Sequence, residues 1–188
     1  MARRRGRWVL RALTALIAVI ALVVIAGLPL YVFPASDEPR KVDVVYVIGP
    51  ATPSRLELAR HLIVDEGISD TLLISVPEYG VRSAHRWSKC VKDPIKFDVL
   101  CEHSEPFTTQ GEARTLARLA REHGWESAAV ITFTPHVTRT RLIMERCFPG
   151  EKLDVIVDPE PLRLEDWAWH YLYQTGAFIK ALTVATDC

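Results

Sequence analysis

His136 and Arg139 stand in the stretch Thr132-Phe133-Thr134-Pro135-His136-Val137-Thr138-Arg139-Thr140-Arg141, directly after the apolar run Ala128-Ala129-Val130-Ile131. An imidazole beside a guanidinium can move a proton and hold an anion, the chemistry that phosphate binding or phosphoryl transfer needs. The pattern places both at a strand-to-helix turn. In a parallel α/β sheet that turn opens at the carboxyl end of the strand, beside a helix N-terminus, where anionic ligands are held. The first turn of a helix disfavours cations, so a basic pair there calls for an anion.

A second turn of similar character, Phe107-Thr108-Thr109-Gln110-Gly111-Glu112-Ala113-Arg114, should open on the same sheet edge. Thr109 and Thr134 are candidate ligand contacts, and Glu102, which ends the preceding strand, is a candidate general base with Glu112 assisting. Each of these residues also suits a purely structural role. Thr109 with Glu112 reads equally as a capping box, and Thr134 with Pro135 as a helix cap followed by proline. Glu102 with Glu105 reads equally as a solvated acidic loop.

The elements that position these residues follow from hydrophobic periodicity. Short Val/Ile-rich runs at 42–48, 71–76, 97–101, 128–133 and 153–157 read as strands, the first stopped by Gly49-Pro50. Helical patterns at 54–66, 109–123 and 135–147 fill the gaps. Ser54 with Glu57 is expected to cap the first of these. Such alternation implies a Rossmann-like, doubly wound, mainly parallel five-stranded α/β sheet. Residues 77–96 read mostly as loop, with a helical turn at 83–87. Finally, Leu164, Trp167, Tyr171, Thr175, Phe178 and Leu182 form one stripe at helical spacing, expected to cover the sheet, with contact to a membrane surface as the alternative.

Upstream of all this, Arg3, Arg4, Arg5, Arg7 and Arg11 lead into a segment, 12–33, without a charge. Roughly 20 apolar residues cross a bilayer. The segment exceeds the roughly 7–15-residue core of a signal peptide, so an uncleaved anchor is the expectation. With the basic residues before the span and Asp37 and Glu38 after it, the N-terminus is expected in the cytoplasm and the rest outside. The organisation is therefore a basic tip and anchor over 1–35 and an extracytoplasmic domain over 36–188.

Removing the five N-terminal arginines from 23 basic residues leaves 18 against 23 acidic ones, a mildly acidic outer domain. Nucleic-acid binding needs a basic footprint, so that class is set aside. The four cysteines, Cys90, Cys101, Cys147 and Cys188, all lie in this outer part. An even count in an oxidising compartment points to two disulfides. Three pairings are open; Cys90 with Cys101 are nearest in sequence, and Cys147 with Cys188 would then pin the last helix. Without a Cys-x-x-Cys or paired-histidine spacing, no metal site is expected.

The strand Asp43-Val44-Val45-Tyr46-Val47-Ile48-Gly49, then Arg55, Glu102 ahead of Thr109-x-x-Glu112-Ala113, and His136-x-x-Arg139 resemble the SanA/ElyC/YdcF-like envelope family. The resemblance covers roughly residues 41–157. It implies a Rossmann-like domain behind one membrane anchor, linked to lipid-carrier or peptidoglycan metabolism, and it adds Asp43 and Arg55 to the candidate ligand-binding residues. It fixes neither a cofactor nor an oligomeric state. An S-adenosylmethionine site, associated with one member, would want a glycine-rich loop where this chain has Gly49-Pro50-Ala51. The expected partners are thus a membrane, through the anchor, and a small anionic or phosphorylated ligand, either turned over or only bound.

Overall fold

The computed structural model describes residues 2–77, 90 and 97–188, with side chains from Arg7 onward. The helical turn expected at 83–87 lies outside these residues. The N-terminal helix α1 (Ala2–Gly27) passes into a π-helical turn (Leu28–Val32). Together, Arg7–Val32 are long and apolar enough to cross a membrane.

Five strands follow: β1 (Val44–Val47), β2 (Thr71–Ser75), β3 (Asp98–Glu102), β4 (Ser127–Phe133) and β5 (Lys152–Asp158). They form one sheet in the order β3-β2-β1-β4-β5, every neighbouring pair parallel. Helices α2 (Pro53–Val64), α3 (Thr109–His123) and α4 (Val137–Cys147) connect them, and α5 (Leu164–Thr183) closes the chain. The strand runs are continuously apolar because both faces are covered. Val44, Tyr46 and Ile48 pack with Leu116 of α3 and Met144 of α4, whereas Val45 and Val47 pack with Leu62 and Ile63 of α2.

Strand order reverses between β1 and β4, so the connections leaving their carboxyl ends run to opposite faces of the sheet and leave a crevice between them, the usual ligand position in such sheets.

The helix starts differ from expectation by a residue or two. Thr52, not Ser54, caps α2, its Oγ1 accepting the Arg55 N–H at 3.4 Å. Ser54 instead donates to Asp158 Oδ1 at 2.7 Å. Thr108, not Thr109, caps α3, accepting the Gly111 N–H at 3.2 Å. Thr134 opens a 3-10 turn (Thr134–His136), and α4 begins only at Val137 without a side-chain cap. At α2 and α3 a neighbouring hydroxyl takes the cap and frees the expected one for another bond.

The stripe on α5 does not cover the sheet. Gln174 and Ala181 are the buried residues of this helix, whereas Leu164 is 88% exposed and Leu182 is exposed too. The helix packs on α4 and on the turn after β4. Cys90–Cys101 and Cys147–Cys188 form disulfides. The second ties the chain's end to the end of α4, where Arg146 Nη1 also donates to the carbonyls of Ala181 and Ala185.

The segment leaving the N-terminal helix is stitched to the domain. Asp37 bonds both ways with Val155 of β5, and its carboxylate pairs with Arg141 at 2.7 Å. Arg40 pairs with the buried Asp154, and Thr138 donates to the Leu30 carbonyl at 2.8 Å.

Candidate functional site

A cavity of about 340 Å³ fills the crevice between the ends of β1 and β4, roofed by α5. Its polar lining comes from both turns singled out by sequence: Thr109 and Glu112 from the start of α3, His136 and Arg139 from the turn and helix after β4. Gln174 and Lys180 of α5 complete it. Residues nearly 30 positions apart converge because α3 and α4 both start at the carboxyl edge of the sheet.

Arg139 is at the centre. It is 9% exposed, its Nε donates to Gln174 Oε1 at 2.9 Å, and its Nη1 donates to Thr109 Oγ1 at 3.2 Å. Both acceptors are neutral. Among the described residues no carboxylate lies within ion-pair distance of this guanidinium. Burial lowers its pKa from the usual arginine value, yet an arginine stays protonated in proteins. A buried cation held by neutral acceptors is costly to leave without a counter-ion.

His136 is buried behind it, with Nδ1 2.9 Å from Thr132 Oγ1 and Nε2 3.2 Å from Thr109 Oγ1. Burial first, and then the nearby charges of Arg139 and Arg55, hold its pKa well below 6.5. The ring is therefore neutral, one nitrogen donating and the other accepting. Two proton arrangements satisfy the network. In one, the Thr109 hydroxyl donates to Nε2; in the other, Nε2–H donates to Thr109, and the Thr109 proton is free for a ligand.

Glu112 forms the floor. Its Oε1 accepts the Gly49 N–H at 2.6 Å, and burial raises its pKa above 4.5 although Arg139 and Arg55 pull the other way. A Cβ on Gly49 would stand 2.7 Å from Phe107 and 3.1 Å from Glu112 Oε1. Glycine is favoured here by the close approach of the Phe107 ring and the Glu112 carboxylate to the backbone, not by φ.

The other candidates are elsewhere. Arg55 lies behind Phe133, its guanidinium 4.9 Å from that ring, donating to the Pro50 carbonyl at 2.7 Å and facing Asp158 at 3.8 Å. It acts on the cavity by charge, not by contact. Glu102 is drawn to Arg118 at 2.8 Å on the edge strand β3, so the structure does not bring it to the cavity. Asp43 lies at the opposite end of the sheet, where its Oδ2 accepts the N–H groups of Glu126 and Ser127 at 2.9 and 2.8 Å. That bond joins the starts of β1 and β4. Thr134 is not among the lining residues.

Sequence reasoning missed Thr132, the hydroxyl that orients His136, and Gln174, the acceptor that orients Arg139. A signal existed for Gln174: it is the sole side-chain amide in the stretch 164–183 and directly follows the apolar and aromatic run Tyr171-Leu172-Tyr173. Thr132 sits inside an apolar strand and gave none. Among the described residues no cluster of metal-ligating side chains is present. Neither a protein-family model nor a curated protein matches this chain.

Proposed function

We propose that this is a membrane-anchored, extracytoplasmic envelope protein whose cavity binds the phosphate or pyrophosphate of an envelope precursor, as its resemblance to the SanA/ElyC/YdcF-like family implies. The observation that carries the reading is Arg139: a buried guanidinium lining an open cavity with neutral partners only. A bound phosphate supplies, through charge-assisted hydrogen bonds, the directly paired counter-charge that Glu112, which acts on Arg139 only at longer range, does not. Lys180 at the rim adds a second cation, and two disulfides suit an oxidising compartment.

A second reading, phosphohydrolase or transferase, is favoured by the Thr109–His136 contact. In the arrangement where the Thr109 hydroxyl donates to the neutral imidazole, Thr109 Oγ1 bonds to phosphorus as its proton passes to His136 Nε2. The bond from phosphorus to the leaving oxygen breaks as that oxygen takes the proton back from His136, and water then releases the phosphoryl group from Thr109 as inorganic phosphate. Arg139 then stabilises charge on the transferring group. Glu102 has no part in either reading, because Arg118 engages it.

The test is binding of inorganic pyrophosphate and sugar pyrophosphates to the full chain in detergent, with phosphate release followed in parallel. Binding with release that disappears in Thr109→Ala and His136→Ala supports turnover. Binding without release leaves a binding module, and no binding overturns both readings.

A further inference from the structure

The outward face of α5 is apolar where a helix facing water would be polar. Leu172 is 75% exposed and Trp169, about 60° around the helix from it, is 63% exposed; Leu164 lies about 80° to the other side of Leu172, one turn or more upstream, and the exposed Glu165 at the helix start falls among them. Helices of soluble domains bury one apolar stripe; here Trp167, Tyr171 and Phe178, half-buried beside the buried Gln174 and Ala181, already form the inward side, so Trp169 and Leu172 are apolar residues beyond it.

What lies beside this face is the outer end of the membrane helix. Tyr171 Oη donates to the Val24 carbonyl at 3.2 Å. Its ring occupies the space a side chain at Gly27 would take. Tyr31 meets Tyr171 edge-on at 5.2 Å between centroids, and its hydroxyl lies 3.3 Å from Thr175 Oγ1. Counting at about 1.5 Å per residue, a hydrocarbon core of roughly 30 Å entered near Arg7 is left between Gly27 and Val32. Trp8 then marks the inner boundary, while Tyr31 and Tyr171 mark the outer one, the positions aromatic belts take.

We infer that the N-terminal half of α5, through Leu164, Trp169 and Leu172, is seated in the outer interface of the membrane that α1 crosses. The occupant of this face is the bilayer, because the face is continuous with the helix inside it. The bonds of Asp37 and Thr138 fix residues 30–37 on the domain, so the domain cannot swing away on a loose tether. The surface also reaches the cavity: Trp169 stacks on Tyr173 at 6.0 Å, and Tyr173 lies 6.0 Å from the Arg139 guanidinium. A single layer of aromatic rings thus separates lipid from the anion site. The inference rests on the reading of α1 as a membrane span, not on phosphate binding.

The test places the photo-crosslinker p-benzoylphenylalanine in the full chain in phosphatidylcholine–phosphatidylglycerol nanodiscs. It is introduced at Leu172, at Val19 in the middle of the span, and at the exposed Glu57 of α2. Lipid adducts at 172 should rise to the level found at 19 and several-fold above that at 57. Adducts at 19 but only the background of position 57 at 172 would overturn the inference while leaving the anchor intact. Adducts at 172 joining two copies of the chain would also overturn it and make the face a subunit contact. An absence of lipid adducts at 19 would remove the span and the inference with it. All three replaced residues lie outside the cavity lining.

Discussion

Arg139, His136 and Glu112 are three ionisable groups whose burial pushes each toward its neutral form, and the outcome differs by chemistry. The guanidinium keeps its proton; the imidazole has none to spare; the carboxyl is held above its ordinary range. The His136 shift makes stability depend on pH. The unfolded chain takes up a proton near pH 6.5, but the fold does not. The contribution is complete above that pH and is lost as pH falls below it, by up to about 1.4 kcal/mol per pH unit. Relative to wild type, His136→Asn should therefore show a smaller fall in unfolding midpoint between pH 7 and pH 5. Equal falls would mean that His136 protonates within the fold. For Glu112 the sign is opposite. Its raised folded pKa gives stability that is present below pH 4.5 and lost as pH rises through the raised value. Glu112→Gln, which keeps the Gly49 bond, should gain stability over wild type as pH rises from 4.5 towards neutrality. A constant difference across that range would contradict this.

At the scale of elements, the start of α3 is the part that tolerates least. A Cβ on Gly111 would collide with the Pro106 carbonyl oxygen, so the loop before α3 and the helix's first turn fit only with glycine. Gly111→Ala should cost about 1–3 kcal/mol, the usual range for overpacking, and shift Thr109 from His136. A thermal melt unchanged from wild type would contradict it. The strands were legible in sequence because a strand buried on both faces is a short, continuous β-branched run, and Val44-Val45-Tyr46-Val47 is one. The turn at 132–139 was legible because basic residues at a helix start are unusual, and the turn at 107–112 because its paired threonines with Gly111 and Glu112 follow a strand and open a helix. The caps were not: where Thr52 and Ser54, or Thr108 and Thr109, both offer a hydroxyl, tertiary partners such as Asp158 and His136 decide. Nor was the face of α5, since its apolar residues nearly encircle it and periodicity cannot say which side is covered. Asp43 and Glu102 illustrate the same limit. Their partners, the amides of Glu126 and Ser127 and the Arg118 side chain, come from distant positions.

For the whole molecule, the ends of the chain build the site's surroundings. The N-terminal apolar helix ends against α5 and the turn after β4, and the C-terminus is latched by Cys147–Cys188, by Arg114 to Asp187 at 3.2 Å, and by Arg146. The disulfide closes a sequence separation of 41 residues, worth about 4 kcal/mol on the chain-entropy account. Cys147→Ser with Cys188→Ser should lower unfolding stability by that order and loosen Ala185 at the cavity wall. Unchanged stability in chemical denaturation under oxidising conditions would contradict it. The reading as an anion-binding envelope protein places a positive, half-enclosed cavity in a mildly acidic domain, so affinity should come from Arg139 and not from overall charge. Calorimetric titration of inorganic pyrophosphate into the full chain, with Arg139→Gln and the exposed α3 variant Arg121→Gln alongside, tests this most directly. Removing charge-assisted hydrogen bonds worth about 1.5–3 kcal/mol should weaken binding about 10- to 100-fold in Arg139→Gln, while Arg121→Gln binds as wild type does. Equal affinity in all three proteins, or no binding by the wild type, would contradict the account.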